Sequence, residues 1–155
     1  MAGMSVIEQM TKNKILDAAE AQFRRFGPKK TSMEEIARQA GLSRATLYLH
    51  FSGKKALYKS LLETITECYI AEIQQLVDSE REAPRKLRLF VEITAKTYTN
   101  NPVLLAAIIE DVDFSMQKVA APIMAKYRDL ILNPLRQILN QGINERSIRK
   151  LKVHE

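Results

Sequence analysis

The side chains best suited to covalent or metal chemistry are few: one cysteine, Cys68, and two histidines, His50 and His154. A single thiol excludes an intramolecular disulfide and a thiolate metal cluster. No Glu-x-x-His pair is present, so a carboxylate-bridged di-metal helix bundle lacks its ligands. Cys68 and His50 formally make a nucleophile and a base, but Cys68 falls in a helical pattern without catalytic context, where a thiol is commonly inert. Nor is there a nucleotide-binding loop. The sequence therefore reads as that of a non-enzyme, with no metal and no cofactor.

Basic residues offer a different chemistry. The chain has 155 residues, 27% of them charged and 46% hydrophobic, with a formal net charge of +6. Residues 1–60 hold 11 Lys or Arg against 5 Asp or Glu, and residues 61–155 hold 13 of each. All of the excess lies at the front, as expected where one end of a protein meets a polyanion. A solvated basic face would leave the same trace. The longest apolar run, Val103 to Ile109, is far short of the roughly 20 residues that span a bilayer, and no secretory signal opens the chain. A cytoplasmic protein with no membrane contact is expected.

Helical patterns position these residues, and strand alternation is nearly absent. Ile15, Ala18, Ala19, Phe23 and Phe26 share one face of a helix over about 12–26, which Gly27-Pro28 ends. Ser32 and Glu35 form a capping box before Met33, Ile36, Ala37 and Ala40. Gly41 breaks that helix, and Ser43 caps a short one running to His50, with Leu42, Leu47 and Phe51 inward. Two helices across a tight glycine turn make a helix-turn-helix. A long helix follows from Lys54 to about Asp78. Pro84 opens another, a shorter apolar one covers Val103–Ile109, and a break near Pro122 precedes a last long helix. Pro134 should kink that helix and Gly142 should end it.

Residues 12–62 closely resemble the DNA-binding domain of the TetR family of bacterial transcriptional repressors. The resemblance is carried by Ile15-Leu16-Asp17-Ala18-Ala19, Phe23 to Gly27, Thr31-Ser32-Met33-Glu34-Glu35-Ile36-Ala37 and Ala40-Gly41-Leu42-Ser43. It continues through Thr46-Leu47-Tyr48-Leu49-His50-Phe51, Lys54, Leu57 and Leu61. It implies that the short helix from Ser43 enters a major groove with its first residues at base edges. Arg44 is then the best base reader, because its fork donates twice to guanine. Thr46 offers a hydroxyl or a methyl group, and Ala45 stands where the family commonly has Gly.

By resemblance Tyr48 contacts the DNA backbone, the alternative being a half-buried core tyrosine. Lys54, at a helix start that already favours anions, clamps a phosphate. Lys55 replaces a frequent acidic residue and extends the footprint. Ser43, Thr31 and Ser32 are caps that can also hold phosphates, His50 is structural or near a phosphate, and Lys29 and Lys30 flank the site.

The resemblance further implies an all-α protein. Residues 1–53 form a three-helix DNA-binding domain, and 54–155 a helical linker with an effector-binding and dimerisation domain. In the latter, Phe90, Tyr98, Ile108, Phe114, Met116, Met124 and Tyr127 would line a pocket for a small apolar or amphipathic effector, or simply fill the core. Glu110, Asp111 and Asp113 would meet a cation or form a solvated turn. The family's last two helices have no counterpart after Gly142, so the domain looks short at its end. The expected protein is a homodimeric repressor on palindromic double-stranded DNA, released by its effector. The alternative is a helical protein-interaction module of the same ancestry without operator binding.

Overall fold

The computed structural model describes residues 5–109 and 114–149, in which every regular element is a helix. Among these residues the helices are α1 (Val6–Lys30), α2 (Met33–Ala40), α3 (Arg44–His50), α4 (Lys54–Ser79), α5 (Ala83–Asn100), α6 (Pro102–Ile108) and α7 (Phe114–Asn144). They cluster into two compact units, Met1–Thr64 with Pro102–Ile123 and Ile65–Asn101 with Met124–Glu155. The division does not follow a boundary at residue 53. The first unit keeps the opening turns of α4, because Leu57, Tyr58, Leu61 and Leu62 are buried, and α6 contacts α1. The acidic group Glu110, Asp111 and Asp113 and the end of the basic tail lie outside the described residues.

In the first unit α1 starts earlier than its apolar face suggests. Ser5 and Glu8 form a capping box, while Val6, Ile7 and Met10 remain exposed. Ile15, Leu16, Ala18, Ala19 and Phe23 form the inner stripe, and Phe23 meets Tyr58 edge-on with ring centroids 5.8 Å apart. Phe26, expected inward, is 45% exposed beneath the Arg25 guanidinium. Regular helix does stop at Gly27, whose φ of 77° and ψ of 155° interrupt α1 before the turn Pro28–Lys30.

The helix-turn-helix forms as the sequence requires. Ser32 and Glu35 complete their capping box, and Met33, Ile36 and Ala37 turn inward. At the other end Gly41 adopts φ 67°, ψ 33°. Its N–H donates to the Arg38 carbonyl and that of Leu42 to Ala37. This Schellman closure requires the left-handed conformation that glycine adopts without a Cβ penalty. Ser43 then caps α3.

The second unit packs α5 and parts of α4 and α7 around Tyr69, Ile73, Leu76, Phe90 and Ile138. Polar groups buried there are paired. Tyr69 and Thr94 share a 2.7 Å hydrogen bond, and the Lys86 ammonium donates to Gln141 Oε1 at 3.1 Å. The expected break near Pro122 is absent: α7 runs through Pro122 and Pro134 as one helix. A proline removes one backbone bond. Pro122 is exposed, where water can satisfy the released carbonyl, while Met116, Ala120, Ile123 and Tyr127 keep a buried face on either side.

Candidate nucleic-acid interface

A seven-residue helix gains little from its own backbone bonds, so α3 depends on its cap and its packing. Thr46 N–H donates to Ser43 Oγ at 3.0 Å, and the two hydroxyls lie 2.8 Å apart. Leu47 alone on α3 is buried. The other side carries Arg44, Ala45, Tyr48 and Leu49, all exposed, with Thr46 and His50 half-buried. Tyr48 is thus no core residue. Its ring lies beneath Arg44, whose guanidinium carbon is 5.5 Å from the ring centroid.

Arg44 also forms an ion pair with Glu34 on the first turn of α2. Sequence reasoning missed this partner, ten positions away across the glycine turn. It also passed over Leu49, which is 86% exposed near the end of α3. At the start of α1, hydrogen bonds from the Ser5 backbone and side chain hold the Glu8 carboxyl below its usual 4.5.

The flanking residues separate into free and engaged groups. Lys29, Lys30 and Lys55 are exposed. Lys54 Nζ instead donates to the carbonyls of Thr31 at 2.9 Å and Lys29 at 3.2 Å. The ammonium expected to clamp phosphate therefore ties the start of α4 to the α1–α2 connection. These lysines other than Lys30 border a cleft of about 590 Å³ with Ser52, Gly53 and Met116.

Two residues from the expected set are withdrawn from the surface chemistry. Thr31 is 2% exposed and its hydroxyl donates to the Gly27 carbonyl at 2.9 Å, so burial removes it from phosphate contact. Ser32 donates to Glu35 Oε2 while accepting the Glu35 N–H, which commits its hydroxyl to the cap. The leading edge of α3 thus comprises exposed Ser43, Arg44, Ala45 and Tyr48 with half-buried Thr46, and Lys29, Lys30 and Lys55 are exposed in the same unit.

Residues 15–61, from α1 through the first turns of α4, match the family model described as bacterial regulatory proteins, tetR family. Those residues belong to the TetR family.

An uncharacterized HTH-type transcriptional regulator of Mycobacterium tuberculosis is 34% identical over 98 residues, 63% of this chain and 48% of the relative. The nucleoid occlusion factor SlmA of Vibrio cholerae is 30% identical over 105 residues, 67% of this chain and 53% of that protein. The chain spans about half the length of these curated relatives. Among solved structures, the TetR-family transcriptional regulator PfmR from Thermus thermophilus superposes with a TM-score of 0.70 at 25% identity, covering 89% of this chain and 75% of that one. FadR from Bacillus subtilis, solved in complex with stearoyl-CoA, shares the fold with a TM-score of 0.70 at 24% identity, covering 90% and 75%.

The residues expected to line an effector pocket divide between the two units. Phe90, Tyr98, Met124 and Tyr127 belong to the second, and Ile108, Phe114 and Met116 to the first. Phe90 fills the core of its unit, and Tyr98 leans against Tyr69 with centroids 6.1 Å apart. Tyr127 is buried with its hydroxyl donating to Glu67 at 2.7 Å, a bond that, ahead of burial, raises the phenol above its usual range. Ile108 and Phe114 are exposed, the latter beneath Lys118, and Met116 borders the basic cleft. Among the described residues no helix is long and apolar enough to cross a membrane.

Proposed function

We propose that this chain is a sequence-specific DNA-binding transcriptional regulator, a repressor released from a palindromic operator by a small effector. The observation that carries the reading is the leading edge of α3, with Arg44, Ala45 and Thr46 ahead of Tyr48, and exposed Lys29, Lys30 and Lys55 in the same unit. An α-helix fits the major groove, where an arginine fork matches the two acceptors of guanine. The lysines supply the sequence-independent attraction to phosphate.

As a homodimer, the protein would set two copies of α3 into successive major grooves. Residues 1–53 would read DNA, and the helical remainder would hold an apolar or amphipathic effector. Occupancy of that site would weaken DNA binding by the same factor that DNA weakens effector binding. Stearoyl-CoA is a reasonable first probe, given its presence in the similarly folded FadR. The expected location is the cytoplasm, without a membrane or a further cofactor.

The test is an anisotropy titration against duplexes from the DNA upstream of the chain's own coding sequence, repeated across a salt series. Salt-sensitive binding that prefers one duplex is expected. Absence of any salt-sensitive binding would reject the repressor and favour a helical protein-interaction module.

A further inference from the structure

The reading arginine is held before any DNA arrives. Glu34 pairs its Oε1 with Nη1 of Arg44, and the Tyr48 ring lies one turn along α3 beneath the guanidinium. Both partners of the ion pair sit in the open, with side chains 64% and 52% exposed for Arg44 and Glu34. Such a pair contributes little to stability. Its neighbour Glu35 is already committed to Ser32 in the capping box, whereas Glu34 has no part in that cap.

A guanidinium carries five donors in a rigid planar fork. Glu34 engages the Nη1 side and Tyr48 lies against a face, which leaves the Nε–Nη2 edge for a target with two acceptors. Resting on the DNA-binding reading above, we propose that Glu34 is a specificity-determining positioning residue. It orients the Arg44 fork toward a guanine edge and offsets its charge toward phosphate.

Both effects favour the correct sequence over others. A side chain oriented in advance loses less freedom on binding its matched site. A neutralised arginine adds less to the attraction that every duplex exerts through its phosphates. What remains is geometry, and guanine O6 and N7 match a fork with two acceptors on one base.

The experiment uses the full chain with two probes: a guanine-containing duplex selected by the wild-type protein from a random pool, and a scrambled duplex of equal length. Glu34→Gln and Glu34→Ala are measured alone and combined with Arg44→Ala, after thermal melts establish that each variant folds. Glu34→Ala should bind scrambled DNA more tightly, with a salt slope steeper by up to about one. The ratio of selected to scrambled affinity should fall roughly three- to tenfold. Reselection with the variant should relax the guanine position. Glu34→Gln, which keeps an acceptor without the charge, should fall between wild type and Ala. In the Arg44→Ala background the ratio should not respond to position 34.

Equal changes on both duplexes, or a fall in ratio that persists without Arg44, would assign Glu34 to general repulsion and overturn the proposal. A wild-type chain that selects no sequence would bring down the DNA-binding reading and this inference together. A wild type that selects a site, with a ratio that Glu34→Ala leaves unmoved, rejects Glu34 alone.

Discussion

Arg44 and Lys54 carry the same charge but are deployed differently, one outward beside Glu34 and the other onto two backbone carbonyls. Arg44→Ala should cost about 1–3 kcal/mol on a selected guanine-containing site and much less on random DNA. Anisotropy at fixed salt reads the difference, and equal losses would reassign Arg44 to the backbone. Lys55→Ala should flatten the salt slope by roughly 0.9 without moving the melting temperature. Lys54→Ala should instead destabilise the first unit by about 1 kcal/mol, because two carbonyls lose a donor. A melt unchanged by Lys54→Ala would return that residue to the role of phosphate clamp. The start of α3 was legible, since the Gly41 turn and Ser43 cap set which residues lead it. Burial of Thr31 and the internal bonds of Lys54 were not, because residue type does not tell where a side chain ends up after tertiary closure.

At the scale of the element, the two short helices are held by their ends. Ser32→Ala should cost about 1 kcal/mol, seen as a lower midpoint in urea. Gly41→Ala should cost about 1–2 kcal/mol, and that cost is purely conformational because a Cβ there meets nothing within 4 Å. The capping box also predicts an acid limb. Hydrogen bonds from the Ser32 backbone and then its side chain hold the Glu35 carboxyl below its usual 4.5. Its contribution is therefore complete above 4.5 and is lost as pH falls through the lower folded value. Melts of wild type and Glu35→Gln should converge in acid, and parallel curves would show that Glu35 contributes nothing through its charge. Caps like this one are local and could be read from spacing, as could the similar Ser5–Glu8 signal that went unused ahead of the apolar stripe. The continuity of α7 through Pro122 could not, because it depends on a buried face contributed by distant residues.

For the molecule as a whole, the chain clusters into two compact units, each built from two separate stretches of sequence. Periodicity reveals which face of a helix is apolar but not which neighbour covers it, so the return of α6 and early α7 to the first unit left no mark in the sequence. The same limit scattered the expected pocket residues. Phe90→Ala should cost about 3–5 kcal/mol, with faster amide exchange concentrated in residues 65–101 and 124–149 and little change in α3. Faster exchange in α3 as well would mean that the units unfold together. The burial of Leu47 alone on α3 has a different consequence. On the proposed function, substitutions at 44, 45 or 49 would change what the helix reads while leaving the fold nearly untouched, so an altered preference would arise by small steps in a protein that stays intact throughout.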